Sequence, residues 1–561
     1  MTRLKKYLRR ALALVAAVGL VLSLSPALSI QAAVRPANPW LRIGMLHNSG
    51  PRPASVLSAE YGFAYGYLTD SFEFTEILSL PSATYVAAAM DETVYFGSDG
   101  KVNDTGNGQP LYGFHVQFVR QFSTQQDARA FMNMLTASQL YPAWVNGVFY
   151  VRQGAYASYE AAAAAAQALS ASCGVNASAV GGSPTCVTVF DLNRGNVPVF
   201  AYDSPTTLAL APLQTPGQPQ AYIGWGSYRL PGYWECLRLD GGKVTPINVV
   251  QMQDYLKGVL AMEIGPNAPM EALKAQTIVS RSLAFYWDGR HEKSGYDICT
   301  TSNCQIYAGV EKQNANIIAA VDETYGEVVK YNGAHVPAFY YASAGGKNTE
   351  AIENVWGGYA YPHLRSVYSG YEDPDISYTE WELTYTPQQL GDLLREREYD
   401  VVGPVVDAVV TQRTPDGDHA YAVSVTDSTG RVAVSVQRCD RVRSLFNLRS
   451  SNYAIGILYH RIAINGGQEQ DVQLNTLSVV DGKGTVSAVS ARPGELTVLT
   501  ADGAVKPAEE SGYSFVLHGY GWGHGVGMSQ DGAITMAKQG MTYRQIMDYY
   551  FQDITVERID Q

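Results

Sequence analysis

The sequence predicts a multi-domain α+β protein in which a small β-α-β repeat unit precedes a larger mixed unit. Three observations carry that class. First, 561 residues exceed the roughly 250 to 300 over which one hydrophobic core normally grows. Second, most of the chain reads as short alternating segments broken by Gly, Pro and Ser, with a few separate helical periods. Third, between residues 112 and 171 one strand-and-helix pattern is followed by another of the same order, an internal duplication.

Taken in order, residues 1–33 stand apart as a leader. Arg3, Lys5, Lys6, Arg9 and Arg10 precede an apolar run from Ala11 to about Leu24, then Ser25, Pro26 and a small-residue exit at Ala32 and Ala33. That is the order of a secretory signal. The run is short for a bilayer span, which takes about 20 apolar residues; an uncleaved signal that anchors the chain to the membrane is the alternative. Either way the rest of the chain is expected outside the cytoplasm.

Residues 34–110 are strand-rich, as in "LRIGML" and "TYVAAAM". Residues 111–210 hold the duplication. There "YGFHVQFVRQFS" is followed by "TQQDARAFMNMLTASQ", and "NGVFYVRQGAYAS" by "YEAAAAAAQALSAS", with Val116–Phe122 answering Phe149–Ala155. Such a split β-α-β pattern folds with its helices over one face of a small sheet. The stretch "APLQTPGQPQ", Ala211–Gln220, marks the next boundary, and 220–557 reads as one α+β unit. Within it, a helix ends at Gly265–Pro266 and Pro269 opens another, "PMEALKAQTIVSRSLAFYW". Ser529 caps a helix running to Gly540. Thr542 and Gln545 form a capping box ahead of Ile546, Tyr549 and Tyr550.

Composition narrows the function classes. Apolar residues at 46% and charged residues at 16% describe a foldable chain, not a disordered one. A net charge of −12 argues against nucleic acid and anionic membrane surfaces as partners and leaves a neutral glycan open. Six cysteines in so long a chain are not a disulfide scaffold, although Cys173 and Cys186 flank a loop that a bridge could close.

The most informative stretch is "YLKGVLAMEIGPNAP", Tyr255 to Pro269. At 100° per residue Met252, Leu256, Val259 and Leu260 make one apolar stripe, and Glu263 falls on it. A carboxylate aimed at a core costs several kcal/mol (about) unless it is paired or keeps its proton. In the structural reading, Lys274 or Arg281 of the following helix neutralises it. In the catalytic reading, the apolar setting raises its pKa and makes it a proton donor. A glycosidase normally needs two carboxylates; a second is not evident, and one acid suffices if the substrate supplies its own nucleophile.

Three further stretches carry chemistry. "HEKSGYDICTTSNCQIYAG" places His291, Cys299 and Cys304 on one loop, a spacing compatible with zinc or a similar ion and equally with a small disulfide ring. "HGYGWGHGVGMSQDGA" alternates glycine with Tyr520, Trp522, His524 and Val526. Removing side chains from one face of a strand lets a backbone or a polymer approach closely. "FYYASAGGKNTEAIENVWGG" gathers Ser343, Gly345, Gly346, Asn348 and Thr349 after an aromatic strand, which suits hydroxyl recognition.

Together these stretches resemble the SpoIID/LytB family, named for stage II sporulation protein D. The resemblance covers roughly residues 220 to 555, and its most specific element is "HGYGWGHGVGMSQDGAITMAKQGMTYRQIMDYYF". It implies a peptidoglycan lytic transglycosylase that cuts between N-acetylmuramic acid and N-acetylglucosamine, the muramic 6-hydroxyl closing onto C1 to leave a 1,6-anhydro end. Glu263 occupies the position of the family's catalytic acid. Some members bind zinc through a His and two Cys that map to His291, Cys299 and Cys304; Asn303 stands where such members often carry His. Arg281, Gln305, Ser343, Gly346, His524 and Gln530 are the candidates for the glycan groove.

The duplicated segment is similar to a SPOR domain, a repeat that binds glycan strands stripped of their stem peptides. The expectation is thus a secreted or wall-associated enzyme acting on peptide-stripped glycan. Its rival is a non-catalytic wall-binding scaffold that recruits a cell-wall amidase.

Overall fold

The computed structural model describes residues 36–376, 379–462 and 512–559, with short segments between 470 and 507. The signal-like leader, 1–33, lies outside the described residues. Among those residues no helix is long and apolar enough to cross a membrane.

Two large sheets share the first core. In one, the strand order is Ile298–Cys299, Trp40–Gly44, Val244–Gln251, Tyr233–Arg238, Leu208–Pro212, Phe63–Leu68, Phe74–Leu80. Alternation in Trp40–Gly44 sends Leu41 and Ile43 inward. The strand pairs antiparallel with Val244–Gln251 and parallel with Ile298–Cys299. The core beneath takes Leu41, Phe63 and Val86 from one side of the Ala211–Gln220 stretch and Trp234, Ile247 and Leu256 from the other. That stretch is therefore a loop between two sheets over one continuous core. The leading segment supplies a strand that the later unit pairs with.

The second sheet has ten strands and contains the duplication. Strands Phe114–Phe118, Leu140–Val145, Val148–Tyr156 and Ala177–Val180 lie in the spatial order fourth, first, third, second. Thr124 and Ser158 cap the helices Gln125–Met134 and Tyr159–Cys173. Ala128 and Phe131 of one helix and Leu169 and Cys173 of the other enter a single cluster with Phe118, Phe149 and Val151, so both helices cover one face, as the pattern required. The strand Leu140–Val145 is not left as a bare edge, a liability for any sheet. It pairs in parallel with Val197–Asp203 and joins the repeat to the rest of the sheet.

Helix Met252–Glu263 buries Met252, Leu256, Val259 and Leu260 completely. Gly265, at φ +84°, turns the chain away, and helix Met270–Tyr286 follows. This second helix is enclosed on nearly every side. Leu273, Ala284 and Phe285 enter the first core, while Ala275, Ile278, Val279 and Leu283 enter a second with Phe339, Val526, Met528 and Ile546. The Ser529 cap and the Thr542/Gln545 capping box are both formed, opening helices Gln530–Lys538 and Tyr543–Tyr550.

The glycine-rich stretch differs from the expected continuous strand. Strand Tyr513–Tyr520 takes in only its first three residues, and Gly521, Gly523, Gly525 and Gly527 all adopt positive φ, from +76° to +124°. A Cβ on Gly527 would stand 2.2 Å from the Phe339 carbonyl oxygen, so the stretch lies directly on the backbone of residues 339–344. Tyr340–Tyr341 pairs in parallel with Met528–Ser529, and Ser343 and Trp522 exchange main-chain hydrogen bonds of 3.0 and 2.8 Å.

All six cysteines are free thiols, so neither the bridge allowed between Cys173 and Cys186 nor the ring allowed at Cys299 and Cys304 is present. Cys186 is buried and its Sγ accepts from Arg152 at 3.5 Å, whereas Cys173 ends a helix over the other side of the repeat.

Candidate functional site

Glu263 is the last residue of its helix, and the position that puts it on the apolar stripe also aims it at a groove of about 810 Å³. Its Oε1 accepts from the Ile306 main-chain N–H at 2.8 Å, and the Tyr340 hydroxyl hydrogen-bonds the carboxyl. Both favour the anion. Burial opposes them and prevails, so the carboxyl is held above the usual glutamate range. The cations that could have neutralised it are engaged elsewhere. Lys274 pairs with Glu323 at 2.8 Å and Glu271 at 3.2 Å. Arg281 is fully buried and donates to the Thr324 and Glu327 carbonyls at 2.8 and 2.9 Å and to Gln253 Oε1 at 3.0 Å. Among the described residues no ion pair reaches Glu263, so the neutralising partners expected from the following helix are not formed.

A polar relay sets the donor's surroundings. The Tyr255 hydroxyl donates to Gln305 Oε1 at 3.1 Å, and Gln305 Nε2 donates to the Tyr340 oxygen at 3.2 Å, so Tyr340 is turned toward Glu263. On the opposite side, Gln530 Nε2 donates to the Glu263 main-chain carbonyl at 3.2 Å and to Gln276 Oε1 at 3.3 Å. Removing the Tyr340 hydroxyl deletes a bond that stabilises the carboxylate. Tyr340→Phe should therefore raise the Glu263 pKa further and move the alkaline fall of any Glu263-dependent rate to higher pH, measurable as a shifted pH–kcat/KM profile.

The groove's walls are aromatic. Tyr286 and Trp287 close the end of helix Met270–Tyr286, Trp356 stands opposite, and Trp522, 47% exposed, forms part of the rim. His524 is wedged against Trp356, ring centroids 4.8 Å apart. Its Nδ1 accepts from the Val526 N–H at 3.0 Å, and burial pushes its pKa down to about 4. It is therefore a neutral, fixed imidazole, suited to contact and not to proton transfer near neutral pH. One other carboxylate lines the groove, Asp440, and Arg443 holds it at 2.6 Å.

The sequence candidates thus separate by place. Glu263, His524 and Gln530 line the groove together with Asn303 and Cys304. Gln305 lies behind it as the support of Tyr340. Arg281 is a buried anchor between helices, with no face toward the groove. Ser343 is buried and donates to Glu372 Oε2 at 2.6 Å, and the Gly346 N–H donates to the same oxygen at 3.1 Å. Both order a turn behind the groove, and their carboxylate partner explains why small polar residues gather there. Tyr340, Trp287 and Trp356 escaped the reading of the sequence. Tyr340 and Trp287 sit in aromatic strings whose spacing fits a core equally well, and Trp356 is a single tryptophan ahead of two glycines.

The loop from 291 to 304 brings its thiols and imidazole close together. Cys304 Sγ lies 3.3 Å from His291 Nε2. Hydrogen bonds from Cys304 and Thr301 pull the Cys299 thiol well below its ordinary value, and burial lowers His291, favouring the neutral ring. Thiolate and neutral imidazole are the donors that zinc selects. Asn303 donates from Nδ2 toward His291 Nε2 at 3.5 Å and toward His47 Nε2 at 3.1 Å.

Comparison with known proteins supplies an independent line. The model of the SpoIID family, stage II sporulation protein, matches residues 240–331, the segment holding Glu263 and the thiol loop. An uncharacterised protein of Brachyspira hyodysenteriae is 27% identical over 311 residues, 55% of this chain and 67% of that one. The amidase enhancer of Bacillus subtilis is 27% identical over 314 residues, 54% of this chain and 40% of the enhancer. Stage II sporulation protein D of Bacillus amyloliquefaciens is 25% identical over 329 residues, 55% of this chain and 75% of the relative.

Proposed function

We propose that this chain, whose residues 240–331 match the SpoIID family model, is an extracytoplasmic peptidoglycan lytic transglycosylase. The observation that carries this reading is Glu263: a carboxyl with a raised pKa and no cationic partner among the described residues, opening into an aromatic groove. The flat, half-polar rings of Tyr286, Trp287, Trp356 and Trp522 that line the groove suit the faces of sugar rings. Glu263 protonates the leaving glycosidic oxygen and then, as the anion, accepts the proton of the muramic 6-hydroxyl as that oxygen bonds C1. No water enters the products. Holding the hydroxyl against C1 gives an effective-molarity advantage, and Ile306 N–H and Tyr340 stabilise the anion between the two transfers.

The duplicated unit, read as SPOR-like, would hold a stretch of peptide-stripped strand away from the groove. Zinc held by His291, Cys299 and Cys304 would fix the loop that presents Ile306, a structural duty outside the proton transfers.

The test is product analysis on purified, peptide-stripped glycan strands. Fragments ending in 1,6-anhydro-muramic acid support the proposal; reducing muramic ends would instead make the protein a hydrolase, with Asp440 the carboxylate to examine. A second reading, a scaffold that stimulates a wall amidase, draws on the amidase enhancer relative. It predicts intact strands and a faster amidase in the same assay.

A further inference from the structure

Four potential ligands, not three, converge beside the groove. His47 follows the strand Trp40–Gly44, outside the segment matched by the family model. A ligand nitrogen from His47, one from His291 and Cys299 Sγ all lie within 4.8 Å of one another, with Cys304 Sγ 3.3 Å from His291 Nε2. For zinc bonded at about 2.0 to 2.3 Å, tetrahedral ligand atoms stand roughly 3.3 to 3.8 Å apart, so small side-chain movements bring His47, His291 and Cys299 to that spacing, and Cys304 joins them through its approach to His291. The Nε2 atoms of both histidines face a single electrophile, the Asn303 amide hydrogens. On its far side His47 Nδ1 lies 2.9 Å from the Tyr296 hydroxyl. With its proton donated there, Nε2 keeps its lone pair for the cluster, the outer-sphere bond that orients metal-binding histidines.

We infer that His47 is the fourth ligand of a zinc centre that staples the amino-terminal sheet to the loop at the groove. The inference rests on the zinc reading of that loop and extends it to a residue 244 positions earlier than His291. The fold prepares the staple. Gly44 is the parallel neighbour of Cys299, and Asp297 Oδ2 accepts from the Arg42 N–H at 2.7 Å. Both ligand-bearing segments therefore leave adjacent strands in the same direction. The consequence reaches the site, because the loop carrying Cys299 and Cys304 continues into Ile306, whose N–H holds Glu263. A zinc ion here fixes the acid's partner through a segment that the family match does not include.

The experiment uses the full chain, stripped of metal and titrated with zinc against a chromophoric chelator, as wild type, His47→Ala and Cys299→Ser. His47→Ala should weaken zinc at least about tenfold, and Cys299→Ser more. Amide exchange gives a second readout: zinc should slow exchange at both 45–50 and 299–306 in the wild type, and at 299–306 alone in His47→Ala. Equal melting of the zinc-free wild type and zinc-free His47→Ala shows that the variant is folded. If His47→Ala binds zinc as tightly as wild type while Cys299→Ser does not, His47 is no ligand and the three-residue site stands. If the wild type binds no zinc, both readings fall.

Discussion

Glu263→Gln should abolish the release of anhydro-muramyl ends, lowering the rate by about 10² to 10⁴-fold, the range that positioned general acids contribute, while making the folded protein more stable at neutral pH. The two effects have one cause. Burial raises the carboxyl's pKa in the folded chain, so the folded state retains a proton that the unfolded state has released. Stability therefore declines as pH rises from the ordinary glutamate value through the raised one, and stays lower above it. Glutamine is neutral throughout. Its melting advantage over wild type should be absent near pH 4 (about the ordinary value) and reach its full size above the raised pKa. The wild-type rate should fall over the interval in which the stability difference develops, since the protonated acid is lost there. Calorimetric melts and end-group counts over one pH series test both together. A variant that loses activity without gaining stability at neutral pH would show that Glu263 is a paired structural carboxylate after all.

The inward placement of the Glu263 carboxyl was legible because helical periodicity is strict. Met252, Leu256, Val259 and Leu260 fix the buried side of the helix, and Glu263 on that side is a contradiction that only pairing or protonation resolves. The duplication at 112–171 was legible for a similar reason, since a period-2 segment followed by a period-3.6 segment leaves few alternatives. What was not legible is long-range in sequence. His47 carries no local signal, being one histidine in a turn, and it joins the thiol loop only because Trp40–Gly44 pairs with Ile298–Cys299. Tyr340 is one of three consecutive aromatic residues, and sequence does not say which of them faces the groove. The loop at Ala211–Gln220 has the composition of a linker, yet the core runs on beneath it; composition reports exposure of a segment and not the continuity of what lies under it.

The glycine-rich stretch shows how a correct observation can support two explanations. Alternating glycines were expected to clear one face of a strand for another backbone or for a polymer. The positive φ values and the near contact of Gly527 with Phe339 show that the cleared space is taken by the protein's own backbone at 339–344. The groove is formed by what that backbone approach holds in place: Trp522 at the rim, His524 within, and Tyr340 beside the acid.

Glu372→Ala should be the most destabilising single change near the site, by at least about 3 kcal/mol, because it strips acceptors from several buried donors at once. Glu372 is 7% exposed. Its Oε1 accepts from the Ala344 N–H at 2.8 Å and from the Ser369 and Ser529 hydroxyls at 2.9 and 2.5 Å, and its Oε2 accepts from Ser343 Oγ and the Gly346 N–H. The hydroxyls can turn to other partners; the two main-chain N–H groups cannot, and they would be left unsatisfied. One side chain thus ties the turn at 343–346 and the cap at Ser529 to residue 369, and through the Ser343–Trp522 bonds it holds the glycine-rich loop. Glu372→Gln keeps one acceptor oxygen but points an amide at donors, so it should lose part of the stability and not all. Melting midpoints should fall in the order wild type, Gln, Ala. Activity per folded molecule should fall mainly through KM, because the displaced element is the groove wall, whereas Glu263→Gln acts on kcat. Unchanged melting in Glu372→Ala would mean that the turn and the loop are held by packing alone.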